Sequence, residues 1–403
     1  MARPGQDRGA DARGRHHRVP LRQRRLWRRE AASGGHHQGS NRGAVLRTRP
    51  RWSGRRRHSR GFTLVELMVA IMLGLFLIIG LISLIVSTVG SRTELDKSSR
   101  QIDNGRYALQ LLSEDVQLAG FVGAASSTPF AHVAPVACPT TMAELGYSAT
   151  TSPGTSNVPM AIYGLSAAPA CISNVMADTA MLVVTRLSTT SVTVASAAAA
   201  EAYLQVSTCA SDTLPFAAAG GASASSFALM QKDCLSSNLA PLRKIVQHVY
   251  FVSTCNVCGT DTIPTLKMAE YVNGAMTVTP LVEGIENLQF DYGIDIDGNG
   301  SPDCYTSNPN SPPDAEVAIA VCPQTTPAYE WKAVPATNWA NVMTVRIHVL
   351  ARNTEASGGW TDKRIYDMGL AVPAAGPFND HIKRHVYSTV ARLYNSSGQR
   401  ETP

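Results

Sequence analysis

From Leu67 to Val86 about twenty consecutive positions are uncharged and mostly apolar, enough for one helix to cross a lipid bilayer. No polar face interrupts the run, so its surroundings must be apolar on every side. Past residue 90 the pattern turns periodic. Ile102, Leu109, Leu112, Val116 and Ala119 recur at steps of three, four or seven, which predicts that the same helix continues with one apolar face. Gly120 is its expected stop, and a helix over 62–119 would be roughly 85 Å long at 1.5 Å per residue. The first half is expected to anchor and the second to pack against a domain. Gly74 and Gly80, within the apolar half, suit close helix packing, although glycines are common in membrane helices.

Beyond the helix the chain changes character. Residues 121–178 are rich in Ala, Ser, Thr, Pro and Gly, with a turn cluster at Thr151-Ser152-Pro153-Gly154, and read as a long loop. Strands are predicted over 180–186, 191–195, 245–253, 265–272, 276–282, 285–292, 342–351 and 385–394. Several alternate as half-buried strands do, with Val345, Ile347 and Val349 set against Arg346, His348 and Leu350. An antiparallel sheet laid on the helix's apolar face would bury both, so the fold class is α+β. Long inserts at 121–178, 196–243 and 293–340 are expected to decorate a smaller core.

One charge sits where the apolar run begins. Glu66 would cost on the order of a few kcal/mol to hold in hydrocarbon, so it needs a partner, and another subunit's amino terminus would serve. The stretch Gly61-Phe62-Thr63-Leu64-Val65-Glu66 resembles the class III signal of type IV pilins and pseudopilins. The resemblance implies that a prepilin peptidase cuts between Gly61 and Phe62 and methylates the new terminus. Gly61 lets the peptidase approach the backbone, and Glu66 would neutralise the Phe62 ammonium of the adjacent subunit in an apolar filament core. Further along, Gly105-Arg106-Tyr107-Ala108 through Leu112-Ser113-Glu114-Asp115-Val116, Ile285-Glu286-Asn287-Leu288-Gln289-Phe290-Asp291-Tyr292-Gly293 and Val386 to Tyr394 are similar to the PilW group of minor pilins.

The resemblance implies a type IV pilin-like fold. Residues 1–61 would be a removed leader, 62–89 the transmembrane and filament-core helix, 90–120 its amphipathic continuation and 121–403 a periplasmic β-rich domain. The implied function is a minor pilin that primes type IV pilus assembly, sits at the filament tip, and supports twitching or adhesion. Its implied partners are the prepilin peptidase, other minor and major pilins, the inner-membrane assembly platform and a tip adhesin. The precursor would lie in the inner membrane and the mature protein in the pilus. A type II secretion pseudopilin is the nearest alternative. A membrane-tethered periplasmic enzyme or binding protein is the alternative from another class, and it would leave Gly61 uncleaved.

Charge is divided at the same point. Residues 1–60 hold eighteen Arg, no Lys and three acids, about +15, so the overall +6 leaves the remainder near −9. The basic segment reads as an overlong leader or as translation from a start placed too far upstream, and no nucleic-acid partner is expected. A basic arm for nucleic acid or anionic lipid remains the other reading.

All eight cysteines lie beyond residue 130, which suits a domain folded in an oxidising compartment. Neighbouring pairs would be Cys138 with Cys171, Cys209 with Cys234, Cys255 with Cys258 and Cys304 with Cys322, one of 105 complete connectivities. Cys255-Asn-Val-Cys258 reads as a loop clip; half a zinc site or a redox motif are the alternatives. Asp295, Asp297, Asn299, Ser301 and Asp303 stand at loop positions 1, 3, 5, 7 and 9 with Gly300 at 6, a candidate calcium loop in which Ser301 offers its carbonyl. Position 12 is Thr306 rather than Glu, so an Asx-rich turn without metal is the alternative, and Asp291 is a candidate further ligand. No cofactor is required. The histidines lack HExxH spacing, and GxSxG and P-loop motifs are absent, so an enzyme is not expected. Trp331, Trp339 and Trp360 are candidate adhesive contacts or packing residues.

Overall fold

The computed structural model describes residues 61–124, 130–152, 154–310, 329, 331, 335–370 and 374–401. The basic segment 1–60 and Cys322 lie outside the described residues. The described chain falls into two units divided after Ala70, and each is treated by itself.

One helix, α1 (Leu64–Leu118), contains the whole apolar run and its periodic continuation. It ends where Gly120 adopts a left-handed φ of +71° and gives its N–H to the Thr185 carbonyl at 2.9 Å. A Cβ there would press on Ala161, so the stop needs glycine for room as well as for conformation.

Among the described residues thirteen strands follow in chain order: β1 (Ala131–Val133), β2 (Asn157–Pro159), β3 (Ile162–Leu165), β4 (Met181–Leu187), β5 (Ala202–Val206), β6 (Phe216–Gly220), β7 (Leu242–Ser253), β8 (Thr265–Val272), β9 (Ala275–Glu283), β10 (Ile285–Ile294), β11 (Cys304–Thr306), β12 (Val342–Arg352) and β13 (Arg384–Arg392). Two short helices, α2 (Pro335–Ala340) and α3 (Tyr394–Ser397), precede β12 and follow β13. Strands β3 to β9 form one antiparallel sheet of seven, centred on β7. A second antiparallel sheet runs β11-β10-β12-β13, and β1 and β2 make a small parallel pair. The expected single sheet is therefore two, and both meet α1.

The longest strands have clear causes. β7 is apolar from Ile245 to Val252 except at Gln247 and His248 because both of its faces are covered: Tyr250 and Val252 pack toward α1, while Val249 and Phe251 fill a separate cluster behind the sheet. β12 alternates because only one face meets α1, through Val345, Ile347, Val349 and Ala351. β8 and β9 are joined by Asn273-Gly274, both at positive φ, the backbone that a two-residue hairpin turn demands.

Two expectations change. The segment 191–195 is not a strand: Thr193 hydrogen-bonds with Ser196 and caps a short turn over 194–196, leaving Val192 in a single bridge to Leu242. The segments read as long inserts also carry β1, β2, β3, β5, β6 and β11, and β5 and β6 are integral to the larger sheet. Their short runs of Ala, Gly and Pro have little strand propensity, and pairing with longer neighbours organises them.

Candidate functional site

In the unit ending at Ala70, Thr63 and Glu66 form a capping box. The Thr63 N–H and hydroxyl both donate to Glu66 Oε2 at 3.0 Å, and the Glu66 N–H donates to Thr63 Oγ1 at 3.2 Å. Two orphan donors at the start of α1 are thereby satisfied, and the carboxylate lies at the positive end of the helix dipole. The Thr-x-x-Glu spacing was readable in the chain, so Glu66 has a role in the single subunit besides the one the motif implies. Phe62 is 84% exposed, and the apolar side chains of 64–69 are exposed as well.

In the larger unit the large apolar side chains from Ile71 to Val86 are also exposed, with Phe76 at 78% and Leu77 at 70%. So large an apolar surface is far beyond what a soluble monomer leaves in water. By length and composition the helix can span a membrane.

The remainder of α1 is fastened to the sheets by a different set of residues. Gln101, Gly105, Ala108, Leu112, Asp115 and Val116 are its buried positions, continued by Ala119. Ile102, expected on this face, is 39% exposed, and Leu109 is only half-buried. The helix is turned so that small residues meet the sheet: a Cβ on Gly105 would collide with the Tyr387 ring of β13. Gln101 Nε2 donates to the carbonyls of Ala351 at 2.7 Å and Lys383 at 3.2 Å. At the upper end Glu94 pairs with Lys383 at 2.7 Å, and at the lower end Asn395 Nδ2 donates to the terminal carbonyls of Leu118 and Ala119.

Asp115 is the buried centre of this attachment. Its Oδ1 accepts from Arg186 Nε on β4 at 2.7 Å, while Oδ2 lies 2.7 Å from His248 Nδ1 and accepts the Tyr250 hydroxyl at 2.8 Å, both on β7. Burial pushes the Asp115 carboxyl up, but the hydrogen bond and charge of His248 and the Arg186 guanidinium outweigh it and bring it down to about 2. Burial, reinforced by the Asp115 charge, pushes the Tyr250 phenol up, so it stays a donor.

The loop between β10 and β11 brings one ligand oxygen each of Asp295, Asp297 and Asp303 within 4.8 Å, a group that could hold a metal ion. Its oxygens already have partners. Asp295 accepts the N–H groups of Gly298, Asn299 and Gly300 and pairs with Arg400 at 3.2 Å; Asp303 accepts Ile296 N–H; Asn299 accepts Ser301 N–H. Asp291 is not in the group. It accepts the Leu370 N–H and lies 3.2 Å from His348 Nε2.

Disulfides join Cys138 to Cys171, Cys209 to Cys234 and Cys255 to Cys258. Cys304 is also disulfide-bonded, and its expected partner Cys322 falls outside the described residues. Of the tryptophans, Trp339 is buried against Tyr163 and Tyr292 and donates to Asn310, which makes it a packing residue. Trp331 stacks edgewise on Tyr329, and Trp360 lies under Arg364.

This architecture, an exposed apolar helix fastened by its second half to antiparallel sheets, defines a type IV pilin-like protein. The family model described as the prokaryotic N-terminal methylation motif matches residues 56–82, and that described as type IV pilus-assembly protein W matches residues 249–395. Together these two matches support a PilW-type minor pilin with a role in type IV pilus assembly. Such a protein is anchored in the inner membrane by its apolar helix and then incorporated into the pilus. Among solved structures, a type IV-like pilin from Thermus thermophilus overlaps 73% of this chain and 97% of its own at 9% identity and a TM-score of 0.30. No curated protein matches the sequence.

Proposed function

We propose that the protein is a structural priming and tip subunit: prepilin peptidase cuts between Gly61 and Phe62, the new amino terminus is methylated, and Glu66 guides docking with neighbouring pilins. The observation that carries this reading is that Glu66 is the single charge among residues 62–91, in a helical stretch whose apolar side chains are exposed. In the isolated subunit the capping box holds that carboxylate. On assembly an incoming Phe62 ammonium is a stronger partner than the Thr63 hydroxyl, and in an apolar filament core it would compensate the charge that hydrocarbon penalises. Beyond other pilins, the partners proposed are the inner-membrane assembly platform and a tip adhesin. Membership among the pilins supports a structural rather than a catalytic role.

Intact-mass and amino-terminal peptide analysis of the membrane-bound protein, with and without prepilin peptidase, tests the reading. The expected product begins at N-methylated Phe62 only when the peptidase is present. A chain that keeps Gly61 in both strains would refute it and restore the tethered periplasmic protein. In cells, deletion should abolish surface pili and twitching while leaving hydrolase secretion intact, which separates pilus assembly from type II secretion.

The convergence of Asp295, Asp297 and Asp303 favours a second, narrower reading, a calcium ion held in the β10–β11 loop. Ser301 and Asn299 would complete the oxygen set, and Arg400 would have to give up Asp295. Thermal unfolding with calcium against chelator decides it: a higher Tm in calcium that Asp297→Asn abolishes supports the ion, and superimposable curves leave a hydrogen-bonded turn.

A further inference from the structure

Three features of the Cys255–Cys258 bridge bear on how readily it opens. It closes a sequence separation of three residues, against 33 and 25 for the bridges at Cys138 and Cys209, so it removes the least chain entropy from the unfolded state. Its turn is held independently of it: the Asp261 carboxylate accepts the N–H groups of Asn256, Val257 and Ile263 at 2.8, 2.7 and 3.0 Å. Its two cysteines also differ in access, since Cys255 is 5% exposed whereas Cys258 is an exposed residue.

The fourth observation lies beneath the turn. Lys267 of β8 is only 8% exposed, and its ammonium points at Cys258 Sγ, 3.5 Å away. Among the described residues it has no carboxylate within ion-pair distance. Burial pulls this lysine below its ordinary range, with Asp261 acting in the opposite sense. Lys267 is the charged group against the sulfur, and Asp261 acts on that ammonium from the turn itself. A buried ammonium beside a neutral disulfide is poorly compensated, whereas beside a thiolate it is paired. Ser253 Oγ, fully buried, lies 3.7 and 3.8 Å from the two sulfurs and can donate to either.

We propose that Cys255–Cys258 is a thiol-exchange site for dithiol reductants, with Cys258 as the reacting sulfur and Lys267 as the group that holds its thiolate. A thiolate of the partner attacks Cys258 Sγ; the Cys255–Cys258 bond breaks, and its electron pair goes to Cys255 Sγ, which takes a proton. The partner's second thiolate then attacks the partner sulfur of the mixed disulfide and releases Cys258 as a thiolate next to Lys267. The partner leaves as a disulfide, having lost two electrons and two protons. The cysteine pair gains the two electrons and one proton, and the other proton goes to solvent. The Asp261 bonds keep the turn in shape for the bridge to re-form, so the site can report on or respond to thiol balance without unfolding the sheet.

The test uses the full chain in detergent, titrated with dithiothreitol at rising concentration, with free thiols trapped by iodoacetamide and located by peptide mass spectrometry. Cys255 and Cys258 should open at concentrations at least tenfold below those that open the other bridges, with the circular dichroism spectrum retained. In the reduced protein, Cys258 should alkylate with a pH midpoint below the ordinary thiol value of about 8.5. Lys267→Met should raise that midpoint and slow alkylation at pH 7 about tenfold, and Lys267→Arg should restore it. Opening of Cys255–Cys258 no earlier than Cys138–Cys171, or an ordinary midpoint for Cys258 in the unsubstituted protein, overturns the proposal. Both readouts stand even if Lys267→Met does not fold.

Discussion

Replacing Asp115 by Ala probes what fastens α1 to the sheets. The carboxylate is 6% exposed and serves Arg186, His248 and Tyr250, so its removal leaves a guanidinium with a side chain only 17% exposed and a buried phenol without their acceptor. Stripping one partner from a buried ion pair costs about 3–5 kcal/mol. Arg186 keeps some access to water and one bond to the Leu187 carbonyl, which argues for the lower end, about 3 kcal/mol. Asp96→Ala, on an exposed position of the same helix, should change stability by less than about 0.5 kcal/mol and serves as the control. The assay is urea unfolding of the full chain in detergent across pH. The Asp115 carboxyl titrates near 2 when folded against about 3.9 when unfolded, so its contribution is fully present above the unfolded value. It is lost as the pH falls through the folded value, and the lowered pKa corresponds to about 2 kcal/mol. The gap between the unsubstituted protein and Asp115→Ala should therefore narrow by about 2 kcal/mol between pH 5 and pH 2. A gap below about 1 kcal/mol at pH 6, or one that does not narrow on acidification, would refute the reasoning.

Glycine substitutions on α1 should have opposite signs. Gly105→Ala drives a Cβ into the Tyr387 ring and should cost about 1–3 kcal/mol, whereas Gly90→Ala meets nothing within 4 Å and should gain about 0.5–1 kcal/mol, both read by urea unfolding. Glu66→Ala should leave precursor cleavage intact and reduce incorporation into pili, seen as processed protein retained in the membrane fraction with few surface filaments. Gly61→Val should block cleavage, leaving a single uncleaved species on intact-mass analysis, because the added side chain obstructs the peptidase's approach to the backbone.

The anchor, its lone glutamate and the long strands were legible because each is a local pattern: an unbroken apolar run, one charge at its edge, alternation over many residues. β8 was read to its bounds for that reason. Strands such as Phe216–Gly220, with its Ala-Ala-Ala-Gly, exist through their pairing with β5 and leave little local trace. The contact face of α1 matches the expected one at Leu112, Val116 and Ala119 and departs from it at Ile102 for a related reason. Hydrophobic periodicity selects Ile102 and Leu109, yet close approach of a helix to a sheet favours Gly105 and Ala108, which carry almost no hydrophobic signal. Asp115 carries no local signal of its role, since Arg186 and His248 lie 71 and 133 residues away. A trace was present in β7, where His248 and Tyr250 interrupt an apolar strand on one face and so call for a polar partner.

The two halves of α1 therefore obey different rules because they face different surroundings. The half that enters lipid and filament can recognise neighbours by shape and by one charge, since every other side chain matches its solvent. The half that carries the domain must hold one fixed rotation about its own axis, and uniform greasy packing would define that rotation poorly. A glycine seat for Tyr387, a glutamine reaching two carbonyls and a buried aspartate with three partners set it. In a subunit added by its helix, that rotation decides which surface of the domain faces the next subunit. On the proposed reading, in which Glu66 guides docking, Asp115 and Gly105 serve the same assembly by fixing that rotation.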